Sequence, residues 1–328
     1  MLRAVLFTRL GIGRRIRATV LIPLAAVVMV TVVALPTTAG AMMRTWSAQT
    51  SGTSSTLEGI VFADNMHGWA VGQGGLVRVT TDGGATWSTQ TSGTTNSLYR
   101  VDFVDRKHGW AVGNSGTIIA TVDGGTTWNT QNSHTSNGLS GVSFSDTMNG
   151  YAAGSNGTVE YSTDGGATWA LQTSGTPNYL QGVSSSDPTH AWAVGGSGTI
   201  VATRNGETWD IENSSTTNEL TSVKFVNEKQ GWAVGSNGTI VATVNGGRTW
   251  KVQTSGTTKK LHDVTFLPDG VHGWAVGKGG TILFTDDGGA NWVTQTSGTG
   301  TDLNRVSFPV TDRRGWIAGD AGIILTFG

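Results

Sequence analysis

A pentad of the Gly-Trp-Ala-Val-Gly type recurs seven times along the 328-residue chain. Its aromatic ring falls at Trp69, Trp110, Tyr151, Trp192, Trp232, Trp274 and Trp316, at steps of 41, 41, 41, 40, 42 and 42 residues. A second series keeps the same interval at Trp46, Trp87, Trp128, Trp169, Trp209, Trp250 and Trp292. The two series account for all 13 tryptophans, with Tyr151 the single substitution. Self-similarity at this period marks one supersecondary unit used over and over. Each unit reads as four short strands parted by glycine-rich turns, as at Leu98–Phe103, Gly109–Gly113, 117–121 and 127–131, and no later stretch holds a helical period. Such a sheet cannot cover both of its faces alone and must stack radially on copies of itself. The expected fold class is therefore all-β: a seven-bladed β-propeller with four antiparallel strands per blade.

The chain ends suggest how the ring closes. The last copy stops at Thr326-Phe327-Gly328, where a third strand should turn into a fourth, while Thr45-Trp46-Ser47-Ala48-Gln49 is a fourth strand without its first three. The N-terminal strand is expected to complete the last blade, pairing two edges that would otherwise stay open. Residues 42–328 then form a single propeller domain.

Residues 1–41 read differently. Arg3, Arg9, Arg14, Arg15 and Arg17 precede an apolar run from Ala18 to Leu35, and Ala39-Gly40-Ala41 offers a small-x-small cleavage site. This is the pattern of a signal peptide cleaved after Ala41, with an uncleaved membrane anchor as the alternative because 18 apolar residues just span a bilayer. The expected location is outside the cytoplasm: periplasmic, extracellular or on the outer face of a membrane. Without residues 1–41 the chain carries 16 basic and 22 acidic side chains, which leaves no electrostatic footprint for nucleic acid. The absence of cysteine removes thiol catalysis and cysteine-ligated metals.

The turn before the second tryptophan carries S/T-x-D-x-G-x-T-W, as in Thr80-Thr81-Asp82-Gly83-Gly84-Ala85-Thr86-Trp87. It recurs with Asp123 and Asp164, with Asn245 in place of aspartate, and with Asp287 followed by Asn291; the copy holding Asn205 is one residue short. This is the Asp-box, or bacterial neuraminidase repeat. A short Asx side chain accepts backbone N–H bonds inside the turn, glycine takes the positive φ, and tryptophan packs between sheets. Asp82, Asp123, Asp164, Asn205, Asn245 and Asp287 are accordingly expected to be structural, one per blade around one face. His67, His108, His190 and His272, near the start of the pentads, read as repeat positions too. No catalytic residue, metal or cofactor is expected.

The repeated L-x-x-V-x-F, H-G-W-A-V-G and T-x-D-G-G-x-T-W, for example Leu98-Val101-Phe103, His108-Gly109-Trp110-Ala111-Val112-Gly113 and Thr121-Asp123-Gly124-Gly125-Trp128, resemble the photosystem II stability/assembly factor family of Asp-box propellers. The resemblance runs from Thr45 to Phe327. It implies an exported, non-enzymatic protein that binds another protein, a newly made reaction-centre subunit at the membrane.

Topology indicates where. The start of each first strand should share a face with the loops between strands two and three, opposite the Asp-box turns. The residues after each first-strand leucine escape the repeat, being Glu58-Gly59, Tyr99-Arg100, Ser140-Gly141, Gln181-Gly182, Thr221-Ser222, His262-Asp263 and Asn304-Arg305; positions released from packing are candidates for recognition. Asp263, Arg305, Glu58 and Arg100 occupy successive blades with alternating sign. Together with Tyr99, His262, Lys259 and Lys260 they form the candidate partner-binding group, either as ion pairs that close the ring or as arginines free to hold a partner's carboxylate.

The leading reading is a monomeric protein-binding scaffold whose client is a protein, including a membrane protein. A secreted carbohydrate-binding propeller is the alternative, from tryptophan-rich blades and Asn/Thr/Ser loops. An Asp-box glycosidase is the third. It would need two carboxyl groups about 5 Å apart for a retaining mechanism, with Glu58, Asp263 and Asp302 the available contributors. Sialidases also need an arginine triad, and no Phe-Arg-Ile-Pro-like segment is present.

Overall fold

The computed structural model describes residues 45–309 and 314–328; the expected export signal lies outside them. The described strands form seven four-stranded antiparallel sheets, the seven-bladed propeller that the repeat implies. In blade one the order from the channel outward is Leu57–Phe62, Gly68–Gly72, Val77–Thr80 and Ser88–Gln90. Blades two to six begin at Leu98, Leu139, Leu180, Leu220 and Leu261. Blade seven combines Leu303–Ser307, Gly315–Gly319 and Ile324–Phe327 with the N-terminal Trp46–Gln49, registered as Trp46 opposite Phe327 and Gln49 opposite Ile324.

The second strands are buried on both faces, which is why their pentads show no polar alternation. Between blades the packing is aromatic. Trp69 stacks on Phe103 at 3.6 Å, and Trp128 meets the same Phe103 ring edge-on at 5.9 Å. Five further pentad tryptophans and first-strand phenylalanines repeat the stack, with Trp316 on Phe62 at 3.6 Å closing the ring.

The pentad's first glycine follows from this stack. A Cβ on Gly109 would run into the Phe103 ring. In blade four, where Ser185 stands in place of phenylalanine, Ala191 stands in place of glycine. The ring missing at Ser185 also explains Tyr151, which stacks on Tyr161 at 4.6 Å and donates its hydroxyl to the Pro188 carbonyl at 3.0 Å.

Indole N–H bonds lock one blade to the next. Trp69, Trp110, Trp192, Trp232 and Trp316 each donate to a glycine carbonyl in the following blade's Asp-box, at 2.8–3.1 Å. Trp274 faces blade seven, whose fourth strand comes from the other end of the chain without that turn. Its Nε1 is buried with no acceptor among the described residues.

Candidate functional site

Every first strand carries a β-bulge immediately after its leucine, as between Leu98 and Arg100. A bulge inserts one unpaired residue and re-aims its neighbours. Here the residue after the leucine turns to the channel mouth. All seven such residues, from Glu58 through Tyr99 and His262 to Asn304, line one cavity of about 330 Å³ together with Lys260, Tyr179 and Arg305. Asn114 and Ser155, from loops between second and third strands, line it too, so the predicted sharing of one face is observed.

Most polar groups at the mouth are already engaged. Tyr99 donates its hydroxyl to Asn114 Oδ1 at 2.6 Å. Lys260 pairs with Glu219 at 2.8 Å, and Glu219 also accepts from Ser236 at 3.0 Å. The exposed Lys259 reaches the Gly279 carbonyl at 3.2 Å. His262 Nδ1 lies 3.1 Å from the Leu303 carbonyl; a carbonyl only accepts, so Nδ1 carries the proton. Burial and the Arg305 charge push this imidazole's pKa down. Burial raises the Glu58 carboxyl, with Arg305 opposing and Asp320 reinforcing the shift.

Arg305 differs from its neighbours. Its Nη1 donates to the Asn304 carbonyl at 2.7 Å, its Nε is buried without a partner, and it makes no ion pair among the described residues. Burial and the charge of Arg100 pull its pKa down to about 10, which leaves it cationic at neutral pH.

Below the mouth, a second cavity of about 230 Å³ is lined by Arg100, Asp102, Lys224 and Asp263 among others. Arg100 does not pair with a ring neighbour as the alternation of sign suggested. It reaches across the channel from blade two to Asp263 on blade six, Nη1 to Oδ1 3.0 Å. Asp263 also accepts from Ser222 at 2.6 Å and from the Val306 N–H at 3.0 Å, so both carboxylate oxygens are hydrogen-bonded.

The Asx side chains of the opposite face are taken up within their own turns. Thr86 N–H donates to Asp82 Oδ1 at 2.9 Å and the Thr86 hydroxyl to Oδ2 at 2.6 Å. Asp123, Asp164 and Asp287 repeat the pattern, and Asn205 and Asn245 accept a threonine N–H while donating to that threonine's hydroxyl. His67, His108, His190 and His272 each meet the aspartate three residues before them, at 2.7–3.0 Å, in blades one, two, four and six.

Sequence reasoning missed Glu219 and Lys224, which stand at repeat positions whose residue type changes from blade to blade. It also missed a glutamine that clasps the Asp-box. Gln90 donates to the Gly124 carbonyl at 3.2 Å and accepts from Trp128 Nε1 at 3.2 Å; Gln172 and Gln253 do the same one blade on. The signal was present, because a glutamine stands three residues after six of the seven second-series tryptophans.

A family model described as photosynthesis system II assembly factor YCF48 matches residues 87–171, 171–244 and 242–327. Among solved structures, YCF48 bound to D1 peptide is similar with a TM-score of 0.71 at 23% identity, covering 86% of this chain and 94% of that chain. YCF48 from Cyanidioschyzon merolae gives 0.71 and 23%, covering 86% and 98%. The WD40 β-propeller domain of Doa1 gives 0.69 at 14%, covering 86% and 97%. At these identities the likeness to solved structures is one of fold. No curated protein matches.

Proposed function

The chain belongs to the photosynthesis system II assembly factor YCF48 family, and we propose that it is a non-enzymatic scaffold that holds a segment of a membrane protein subunit at the channel mouth, opposite the Asp-boxes. The observation that carries the choice of site is Arg305: a cation that lines the mouth cavity among mostly engaged neighbours and makes no ion pair among the described residues. Its planar fork suits a carboxylate of the client. The relative solved with a D1 peptide supports a membrane subunit as the client class. The arginine-rich start and the apolar run from Ala18 to Leu35 support an exported protein acting on the outer side of the membrane.

The carbohydrate reading loses its main argument, because each tryptophan is at most 9% exposed and none presents a ring face for a sugar to stack on.

The test is affinity capture from the native membrane with wild-type protein, Arg305→Gln and Arg305→Lys. Arg305→Gln is expected to lose most of the captured subunit in a salt-sensitive way, and Arg305→Lys to recover only part of it. Equal capture by all three proteins would remove the mouth as the binding site. Sequencing the N-terminus of the native protein checks export, with Met42 as the expected first residue.

A further inference from the structure

Four residues after its leucine, each first strand places one side chain on the channel below the mouth, and these seven residues, from Val61 and Asp102 round to Ser307, all line the second cavity. Four of them accept the N–H at the end of the next blade's first strand. Asp102 Oδ2 takes that of Phe144 at 2.7 Å, Ser143 that of Ser185 at 3.0 Å, Ser184 that of Phe225 at 3.1 Å and Ser307 that of Phe62 at 3.0 Å.

Lys224 breaks this series on blade five. An ammonium only donates, so it cannot take up the next N–H, and it makes no hydrogen bond or ion pair among the described residues. On either side of it stand Ser184, whose hydroxyl accepts from Phe225 and keeps its own proton to give, and Thr265, whose hydroxyl makes no hydrogen bond among the described residues. This wall therefore presents donors. Asp102 stands on blade two, as far round the ring as seven blades allow. Arg100 and Asp263 also line the cavity, but they are taken up by each other, which leaves Lys224 and Asp102 as its two charges without an ion pair. Burial pulls the Lys224 ammonium's pKa down, with Asp102 opposing, and pushes the Asp102 carboxyl's up, with the Phe144 N–H and Lys224 opposing. An opposite charge set against each group offsets that cost.

We propose that the channel cavity below the mouth binds a small zwitterion, a free α-amino acid, with its carboxylate against Lys224 between the Ser184 and Thr265 hydroxyls and its ammonium against Asp102. Charge-assisted hydrogen bonds of this kind are the strong ones, and a ligand carrying both signs uses both walls where a simple anion or cation leaves one charge unanswered. The volume of about 230 Å³ lies below that of drug-sized sites and suits a molecule of this size. Arg305 lies at the mouth and does not line this cavity, so the site is independent of the client site proposed above.

The test is a titration of L-alanine into the protein at neutral pH, read at the backbone amide resonances of Ser184 and Thr265, with acetate and ethylamine as probes that carry one charge each. Alanine is expected to shift both resonances saturably and to bind at least about tenfold tighter than either single-charge probe. Lys224→Met and Asp102→Asn, the second of which keeps an acceptor for the Phe144 N–H, should each weaken alanine binding at least about tenfold. Arg305→Gln should leave it unchanged, so the failure of this site and that of the client site are told apart. Should a charge variant fail to fold, Thr265→Leu, which fills the cavity and touches neither charge, is expected to abolish binding in its place, read at Ser184. The absence of a saturable shift with alanine, acetate or ethylamine binding as tightly as alanine, or alanine binding unchanged in a folded cavity variant would overturn the proposal.

Discussion

Arg100 on blade two and Asp263 on blade six meet at 3.0 Å across the channel, although blades seven and one lie between them in the ring. Asp263 is 3% exposed and Arg100 19%. The pair therefore ties opposite walls in a poorly solvated space, where removing one partner strands the other.

Asp263→Ala should cost about 3–5 kcal/mol of stability, and adding Arg100→Ala should recover part of the loss. Burial raises the Asp263 carboxyl's pKa, but Arg100, Arg305, Ser222 and the Val306 N–H outweigh it and hold the value below the ordinary range. A depressed folded pKa gives stability that is complete above the unfolded value and lost as pH falls through the folded one. Denaturant melts of wild type and Asp263→Asn across the acid range check this; parallel curves would refute it.

Glu160 predicts the opposite pH dependence. It is fully buried, neither carboxyl oxygen has a partner among the described residues, and burial pushes its pKa up to about 7 from 4.5. Five other blades place Ile119, Val201, Val241, Leu283 and Leu325 at this position, and blade one places Arg78. The raised value means that stability present below the unfolded pKa is lost as pH rises from about 4.5 to about 7, by up to about 3 kcal/mol. Glu160→Leu should raise the melting temperature at neutral pH and flatten its dependence there. A variant less stable than wild type at pH above about 7 would contradict the reading.

Trp46 is the closing residue of the ring. Its indole donates to Gln295 at 2.9 Å and packs against Phe327 and Phe308 at 5.0 and 6.0 Å. Trp46→Ala should cost about 3–5 kcal/mol. Deleting residues 45–49 should lower the melting temperature further, while a circular permutant giving blade seven four contiguous strands should melt like wild type. A deletion without thermal effect would show that the Trp46–Phe327 pairing contributes nothing.

The Asp-box side chains are predicted to matter for folding alone. Asp123→Ala removes the acceptor of the Thr127 N–H and hydroxyl and should cost about 1 kcal/mol, since the site is solvated. Capture of the membrane client by the folded variant should equal that of wild type. Weaker capture at unchanged stability would place this face in the client interface.

The fold was legible because its determinants lie at fixed intervals. A tryptophan every 41 residues or so, with a phenylalanine at the end of the first strand in six of the seven blades, can satisfy its ring only against the next copy, so spacing alone counts blades and strands. The location of the mouth was legible for the same reason, since Glu58, Tyr99 and Arg305 follow leucines that the repeat holds in place. Lys224 and Glu219 were not legible, because each occurs in one blade and its meaning depends on what faces it.

The sequence by itself determined the repeat, the blade count, the aromatic stacks and the completion of blade seven by Trp46. Each of these is a contact within one blade or between adjacent ones, repeated until chance is excluded. Only the tertiary structure decided that Arg100 is bound to Asp263 while Arg305 makes no ion pair among the described residues. Arg100 and Asp263 are 163 residues apart, and no local pattern links them. Their meeting depends on the width of the closed ring, which is set by all seven blades together.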